Sequence, residues 1–229
     1  ENSPIEKKKL IVTDTVFSMD GDTAGLSDIV ELARRYNCLV MVDEAHATGA
    51  FGPKGNGMAA DLGLTSAIDI HMGTLSKAIG THGAYVCGSK ELIDFLVNFS
   101  RPFIYTTALP AAIAAASLQA IDIIESEPEL RVRLWDNVSF LKDGLKGLGF
   151  DTLESNSPII PVVVNDAQLT MKMSAMLFEH GVFIQGIRPP TVAKGQSRLR
   201  ITVTAAHTQD DLAFALEKIK TIGKKLCLI

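Results

Sequence analysis

The chain has 229 residues, 47% apolar and 21% charged, enough to bury one large core or two modest ones. Its 22 basic and 26 acidic residues leave a net charge of −4, and no cluster of Lys and Arg marks a nucleic-acid surface. The longest apolar stretch, residues 109–124, carries Pro110, Gln119 and Asp122 and is too short and too alanine-rich to span a bilayer. Cys38, Cys87 and Cys227 match no metal or disulfide spacing and read as reduced thiols of a cytosolic protein.

The run Lys7-Lys8-Lys9 reads as a solvated edge before a strand. Residues 10–17 are rich in β-branched side chains and predict that strand, with a polar turn over 18–22. From Leu26 the period changes: Leu26, Ile29, Val30, Ala33 and Tyr36 mark one face of a helix. Residues 38–43 predict the next strand. This βαβ alternation with apolar strands predicts an α/β fold with a parallel sheet covered on both faces. Ligands of such sheets gather beyond the carboxyl ends of the strands.

Gly49, Gly52, Gly55 and Gly57 make a loop, and residues 58–62 a short helical turn. A strand over 67–72 ends near Gly73, and another over 84–87 runs back after the turn at 80–83. Ser89 caps a helix to about Val97. Phe103-Ile104-Tyr105 predicts a short strand. Helical pattern then reaches Ile124, breaks near Pro128, and resumes on Leu134, Val138, Leu141, Leu145 and Leu148, ending at Gly149. Beyond Phe150 the pattern predicts strands over 159–164, 182–184 and 199–203, a helix on Leu169, Met173, Met176 and Leu177, and a last helix begun by Thr208. The expected division is residues 1–110 as part of a large domain, 111–150 as connecting helices and 151–229 as a small domain.

The chemistry collects at predicted strand ends. Asp43 could pair with the protonated pyridine nitrogen of pyridoxal phosphate (PLP), or cap the following turn. His46 could stack on the ring or hydrogen-bond its oxygen, or be a core histidine. Lys77 could be a Schiff-base lysine, or an exposed one. Thr74 could bond the ring oxygen or the phosphate. Ser18 could bond the cofactor, or serve its turn. Each signal alone is weak, and PLP chemistry needs all of them on one rim.

The segments Val42-Asp43-Glu44-Ala45-His46-Ala47-Thr48-Gly49, Gly73-Thr74-Leu75-Ser76-Lys77-Ala78-Ile79-Gly80 and Phe17-Ser18-Met19-Asp20-Gly21-Asp22 carry a resemblance. So do Arg188-Pro189-Pro190-Thr191-Val192, Arg198-Leu199-Arg200 and Thr204-Ala205-Ala206-His207. Together they resemble the α-oxoamine synthases, fold-type I PLP-dependent transferases that condense an amino acid with an acyl-coenzyme A. The resemblance implies that Lys77 holds the cofactor and then takes the substrate α-proton. It implies that Asp43 pairs with the pyridine nitrogen, and that His46 contacts the ring hydroxyl with Ser18 beside it. Thr74 would help hold the cofactor, Arg200 would grip the amino-acid carboxylate, and Thr191 would line the substrate site. Thr106 and Thr107 would approach the phosphate of a partner subunit, because family members are homodimers with the site at the interface. The Arg188–Val192 loop leans toward L-alanine and a pimeloyl thioester. Glycine with acetyl- or succinyl-coenzyme A, and serine with a fatty acyl-coenzyme A, use the same chemistry.

Family members are longer at the amino end, where they carry a phosphate cup and a residue that stacks on the ring. The resemblance therefore implies a carboxyl-terminal portion that binds PLP poorly by itself; tight stoichiometric binding would contradict this. Two other readings compete. The Asp-Glu-Ala-His tetrad also occurs in helicases, but no Gly-Lys-Ser or Gly-Lys-Thr loop precedes it. A binding module without chemistry is the other.

Overall fold

The computed structural model describes residues 8–229; Lys7, part of the basic run, lies outside the described residues. Contacts divide the chain into two units. One comprises the residues up to Val16 and Ala24–Pro128, the other Phe17–Thr23 and Glu129–Ile229.

In the first unit, β1 (Leu10–Asp14), β2 (Leu39–Asp43) and β3 (Ile70–Thr74) are parallel, and β4 (Ala84–Gly88) runs antiparallel to β3, in the order β1-β2-β3-β4. The crossover from β1 to β2 is α1 (Leu26–Tyr36), acidic in its first turn at Asp28 and basic in its last at Arg34 and Arg35, as the helix dipole favours. Asn37 ends it in the left-handed conformation at φ 52°. Leu26, Val30 and Ala33 of α1 bury against Val40 and Val42 of β2, with Ala59 and Ile68 beside them. The helices α2 (Met58–Asp61), α3 (Lys90–Phe99), α4 (Arg101–Ile104) and α5 (Ala111–Ser126) complete this unit.

Three local expectations need correcting. The sheet is not covered on both faces by the described residues. Strand side chains alternate, and on the face away from α1 Leu10, Val12 and Leu39 are 49%, 59% and 44% exposed. Residues 103–105 do not form a strand. Pro102 falls in the first turn of α4, where its fixed φ and missing N–H suit a helix start, and this outweighs the aromatic β preference. The third strand is shifted to Ile70–Thr74, after a 3₁₀ turn at Thr65–Ala67.

The second unit is a three-stranded sheet in the order β5 (Ile159–Asn165), β7 (Ser197–Thr202), β6 (Gln185–Ile187), antiparallel throughout. With α6 (Glu129–Gly147), α7 (Ala167–Glu179) and α8 (Gln209–Lys225) it encloses a core of Leu141, Leu145, Ile160, Val162, Met173, Leu177, Leu199 and Ile219. The predicted strand at 182–184 is extended chain without a ladder partner. Val182 and Ile184 are buried and Phe183 is exposed, but pairing with β7 begins only at Gln185.

Candidate active site

Because β1, β2 and β3 are parallel, their carboxyl ends share one edge. Asp14 and Asp43 are register partners there, and Thr15 N donates to Asp43 O at 2.9 Å. Glu44 N donates to Met72 O at 2.7 Å, which joins the same edge to β3. Asp43 Oδ1 accepts from Ala45 N at 2.8 Å, so this carboxylate does cap the following turn with one oxygen. The turn closes through Ala47 N and Thr48 N, both donating to Glu44 O, and holds half-buried His46 at its centre.

Glu44 is the anchor of this edge. It is 4% exposed, and its carboxylate accepts from Thr15 Oγ1 at 3.1 Å, Met58 N at 2.8 Å and Ala59 N at 2.9 Å. One buried charge thus binds the end of β1, the end of β2 and the start of α2. Its three charge-assisted hydrogen bonds meet the cost of removing it from water.

Lys77 is exposed at the tip of a loop that leaves β3. Leu75 N donates to Gly83 O at 2.9 Å, Thr81 N to Leu75 O at 2.8 Å and Gly80 N to Lys77 O at 3.0 Å. Thr74 Oγ1 donates to Gly83 O at 3.1 Å and lies 2.8 Å from Ser76 Oγ. Two close approaches hold the acid-bearing loop in place, one against the lysine loop and one against Tyr85 of β4. At Gly49, φ is +83° and a Cβ would stand 2.6 Å from Ala78 Cβ, so a side chain there is excluded twice over. At Gly73 a Cβ would stand 2.3 Å from Tyr85 Oη, and that phenol reaches past it to Thr48 Oγ1 at 3.1 Å.

The electrostatics follow the geometry. Partial burial raises the Asp14 carboxyl above its ordinary 3.8, repulsion from Asp43 adds to this, and the Lys77 ammonium opposes it. Burial raises the Tyr85 phenol, with Thr48 opposing. Burial lowers the Arg200 guanidinium.

In the first unit Asp43 and Thr74 are the last residues of the parallel strands β2 and β3, and His46 and Lys77 lie on the loops that follow them. Thr106 and Thr107, in the same unit, are exposed after α4, and Thr106 Oγ1 is spent on the Pro102 carbonyl. Ser18, Thr191 and Arg200 belong to the second unit. There Arg200 Nε donates to the Ser18 carbonyl, and Thr191 is exposed in the loop after β6, its N–H donating to Arg188 O at 3.1 Å. Glu44, Asp14 and Tyr85 were not singled out from the sequence. The one available signal was a glycine inside β3, which marks a close approach across a strand.

The sequence and the fold of this chain are both shared with known proteins. The sequence pattern of aminotransferase class I and II matches residues 1–219, and the chain belongs to that family. The chain is 51% identical over 223 residues to 8-amino-7-oxononanoate synthase of Thermosipho melanesiensis, covering 97% of this chain and 57% of the relative. A solved structure of SPT with a PLP internal aldimine superposes with a TM-score of 0.96 at 34% identity, covering 100% of this chain and 58% of that one. For 8-amino-7-oxononanoate synthase from Francisella tularensis the TM-score is 0.84 at 30% identity, covering 98% and 65%. These relatives bear out the resemblance to the α-oxoamine synthases and the fold-type I architecture. The chain spans 57% of the length of the Thermosipho relative.

Proposed function

We propose that this chain forms part of a PLP-dependent α-oxoamine synthase that joins L-alanine to pimeloyl-coenzyme A, releasing 8-amino-7-oxononanoate, coenzyme A and CO2, a step of biotin biosynthesis. The observation that supports the reading is the close packing of Gly49, which follows the Asp43–His46 turn, on Ala78 beside Lys77, in a chain 51% identical to 8-amino-7-oxononanoate synthase of Thermosipho melanesiensis.

The residues fit the cofactor by the chemistry of their donors. Asp43 uses Oδ1 on its own turn, which leaves Oδ2 for a ring-nitrogen proton. A carboxylate next to that cation keeps the proton on the nitrogen. Lys77 is exposed, as suits an amine that must bond to carbon. PLP, when bound, supplies the electron sink that makes the substrate α-carbon acidic. Lys77 Nζ holds the cofactor and then moves the proton at the substrate α-carbon. His46 would contact the ring hydroxyl with Ser18 beside it, and Thr74 would help hold the cofactor next to the lysine. Arg200 fixes the amino-acid carboxylate and Thr191 lines the substrate site. Thr106 and Thr107 reach the phosphate held by a partner subunit, in a homodimer. The free thiols Cys38, Cys87 and Cys227 suit the reducing cytosol.

A second reading changes only the substrates. The likeness to solved structures of serine palmitoyltransferase (SPT) favours serine with a long acyl thioester. A coenzyme A release assay on the intact protein decides, crossing alanine, glycine and serine with pimeloyl, acetyl, succinyl and palmitoyl thioesters. Alanine with pimeloyl-coenzyme A is expected to turn over fastest. Preference for another pair would replace the substrate assignment, and no release with any pair would reject the enzyme reading.

A further inference from the structure

Two of the motifs each contain a charged residue to which the proposed chemistry gives no task. These are Asp20, in the segment of Ser18, and Arg198, two residues before Arg200. The second unit brings them together. Along β7, Leu199 and Ile201 face the helical core, so Arg198 and Arg200 share the opposite face. Both reach the same short segment, Phe17–Thr23. Arg198 Nη1 forms an ion pair with Asp20 Oδ1, and Arg200 Nε donates to the Ser18 carbonyl.

Arg198 is 4% exposed, and its Nε donates to Gln196 O at 2.9 Å. The segment closes on itself through Gly21 N to Phe17 O and Phe17 N to Asp22 O, both at 2.9 Å. It is tied to the unit once more through Asn156 N to Gly21 O at 2.9 Å. Arg200 uses Nη1 on Thr202 Oγ1 at 3.2 Å, which leaves Nη2 for a further acceptor. The direction of Arg200 is therefore set by where the Ser18 carbonyl stands, and the position of Ser18 is set by the clasp at Asp20. The pair is buried at its arginine and partly exposed at its aspartate; such a pair adds little net stability but fixes geometry, because a shifted arrangement leaves the buried guanidinium unpaired.

We propose that the Asp20–Arg198 ion pair is a positioning device for the amino-acid side of the site: it clasps the Ser18 turn to β7 and so aims the Arg200 guanidinium at the substrate carboxylate. Asp20 and Arg198 touch neither substrate nor cofactor in this scheme. The inference rests on the reading of Arg200 as the carboxylate-binding group.

The test compares Asp20→Asn, which keeps the shape of a partly exposed side chain, with Arg198→Lys, which keeps the charge but loses the planar fork. Hydrogen exchange of the peptide covering residues 17–23, read by mass spectrometry in the intact protein, reports the clasp without any turnover. Exchange there is expected to rise about tenfold in Asp20→Asn and less in Arg198→Lys, with the α6 and α8 amides unchanged. KM for the amino acid is expected to rise about tenfold while kcat stays within about threefold, the pattern of a lost binding contact. Unchanged exchange at 17–23 would overturn the clasp. Raised exchange with an unchanged KM, or a fall in kcat alone, would overturn its link to Arg200. If the unsubstituted protein releases no coenzyme A with any substrate pair, the functional reading fails, and the exchange measurement still decides the clasp.

Discussion

Glu44 shows how one buried side chain can organise a site without entering its chemistry. Its carboxylate receives Thr15 Oγ1, Met58 N and Ala59 N. Glu44→Ala would leave those donors buried and unpaired, and is expected to lower the unfolding free energy by about 2–4 kcal/mol in urea titration. Asp14 makes the opposite case. Its carboxyl is raised by burial and by Asp43, so the folded state binds its proton more tightly than the unfolded chain does. Its stabilising contribution is complete below the ordinary 3.8 and is lost as pH rises through the higher folded value. Asp14→Asn is therefore expected to raise Tm at neutral pH, with the gain vanishing below about pH 3.8; a gain independent of pH would refute this origin. Asp43, His46 and Lys77 were legible in the sequence because a polar residue at the end of an apolar run stands out. Glu44 was not, because its neighbours Thr15, Met58 and Ala59 are brought to it only by folding.

Among the elements, the tie between the acid loop and the lysine loop is the most exacting. Gly49→Ala puts a methyl group 2.6 Å from Ala78 Cβ at a φ of +83°, and the lysine loop must yield. A loss of about 1–3 kcal/mol is expected, with faster proteolysis near Lys77. In α8, Thr208 Oγ1 accepts from Asp211 N at 3.1 Å and the Asp211 carboxylate accepts from Thr208 N at 2.9 Å, a reciprocal cap. Thr208→Ala should cost about 1 kcal/mol by thermal unfolding. The start of this helix could be read from Thr208 alone, because capping is local chemistry. Residues 103–105 and 182–184 were misread because strand formation is not local. Phe103 lies behind a helix-starting proline, and Val182 and Ile184 are extended but wait until Gln185 for a partner in β7. The alternation that betrays an extended chain does not say where its ladder begins.

At the scale of the molecule, the open face of the first sheet is the largest departure from expectation. Apolar strands predicted cover on both sides, yet the described residues cover one, and the side chains of Leu10, Val12 and Leu39 remain exposed. An apolar pattern records what a strand is built to bury, and not which part of a protein buries it. The homodimer proposed above is expected to show as twice the protomer mass in light scattering, and a fully active monomer would refute it. The lysine on the loop after β3 is proposed to hold PLP and to move the substrate proton. The direct test is Lys77→Ala in the intact protein, measured by the long-wavelength absorbance of lysine-bound PLP and by coenzyme A release from alanine and pimeloyl-coenzyme A. Loss of both is expected, with circular dichroism showing the fold unchanged; a variant that keeps both would rule out this role for Lys77.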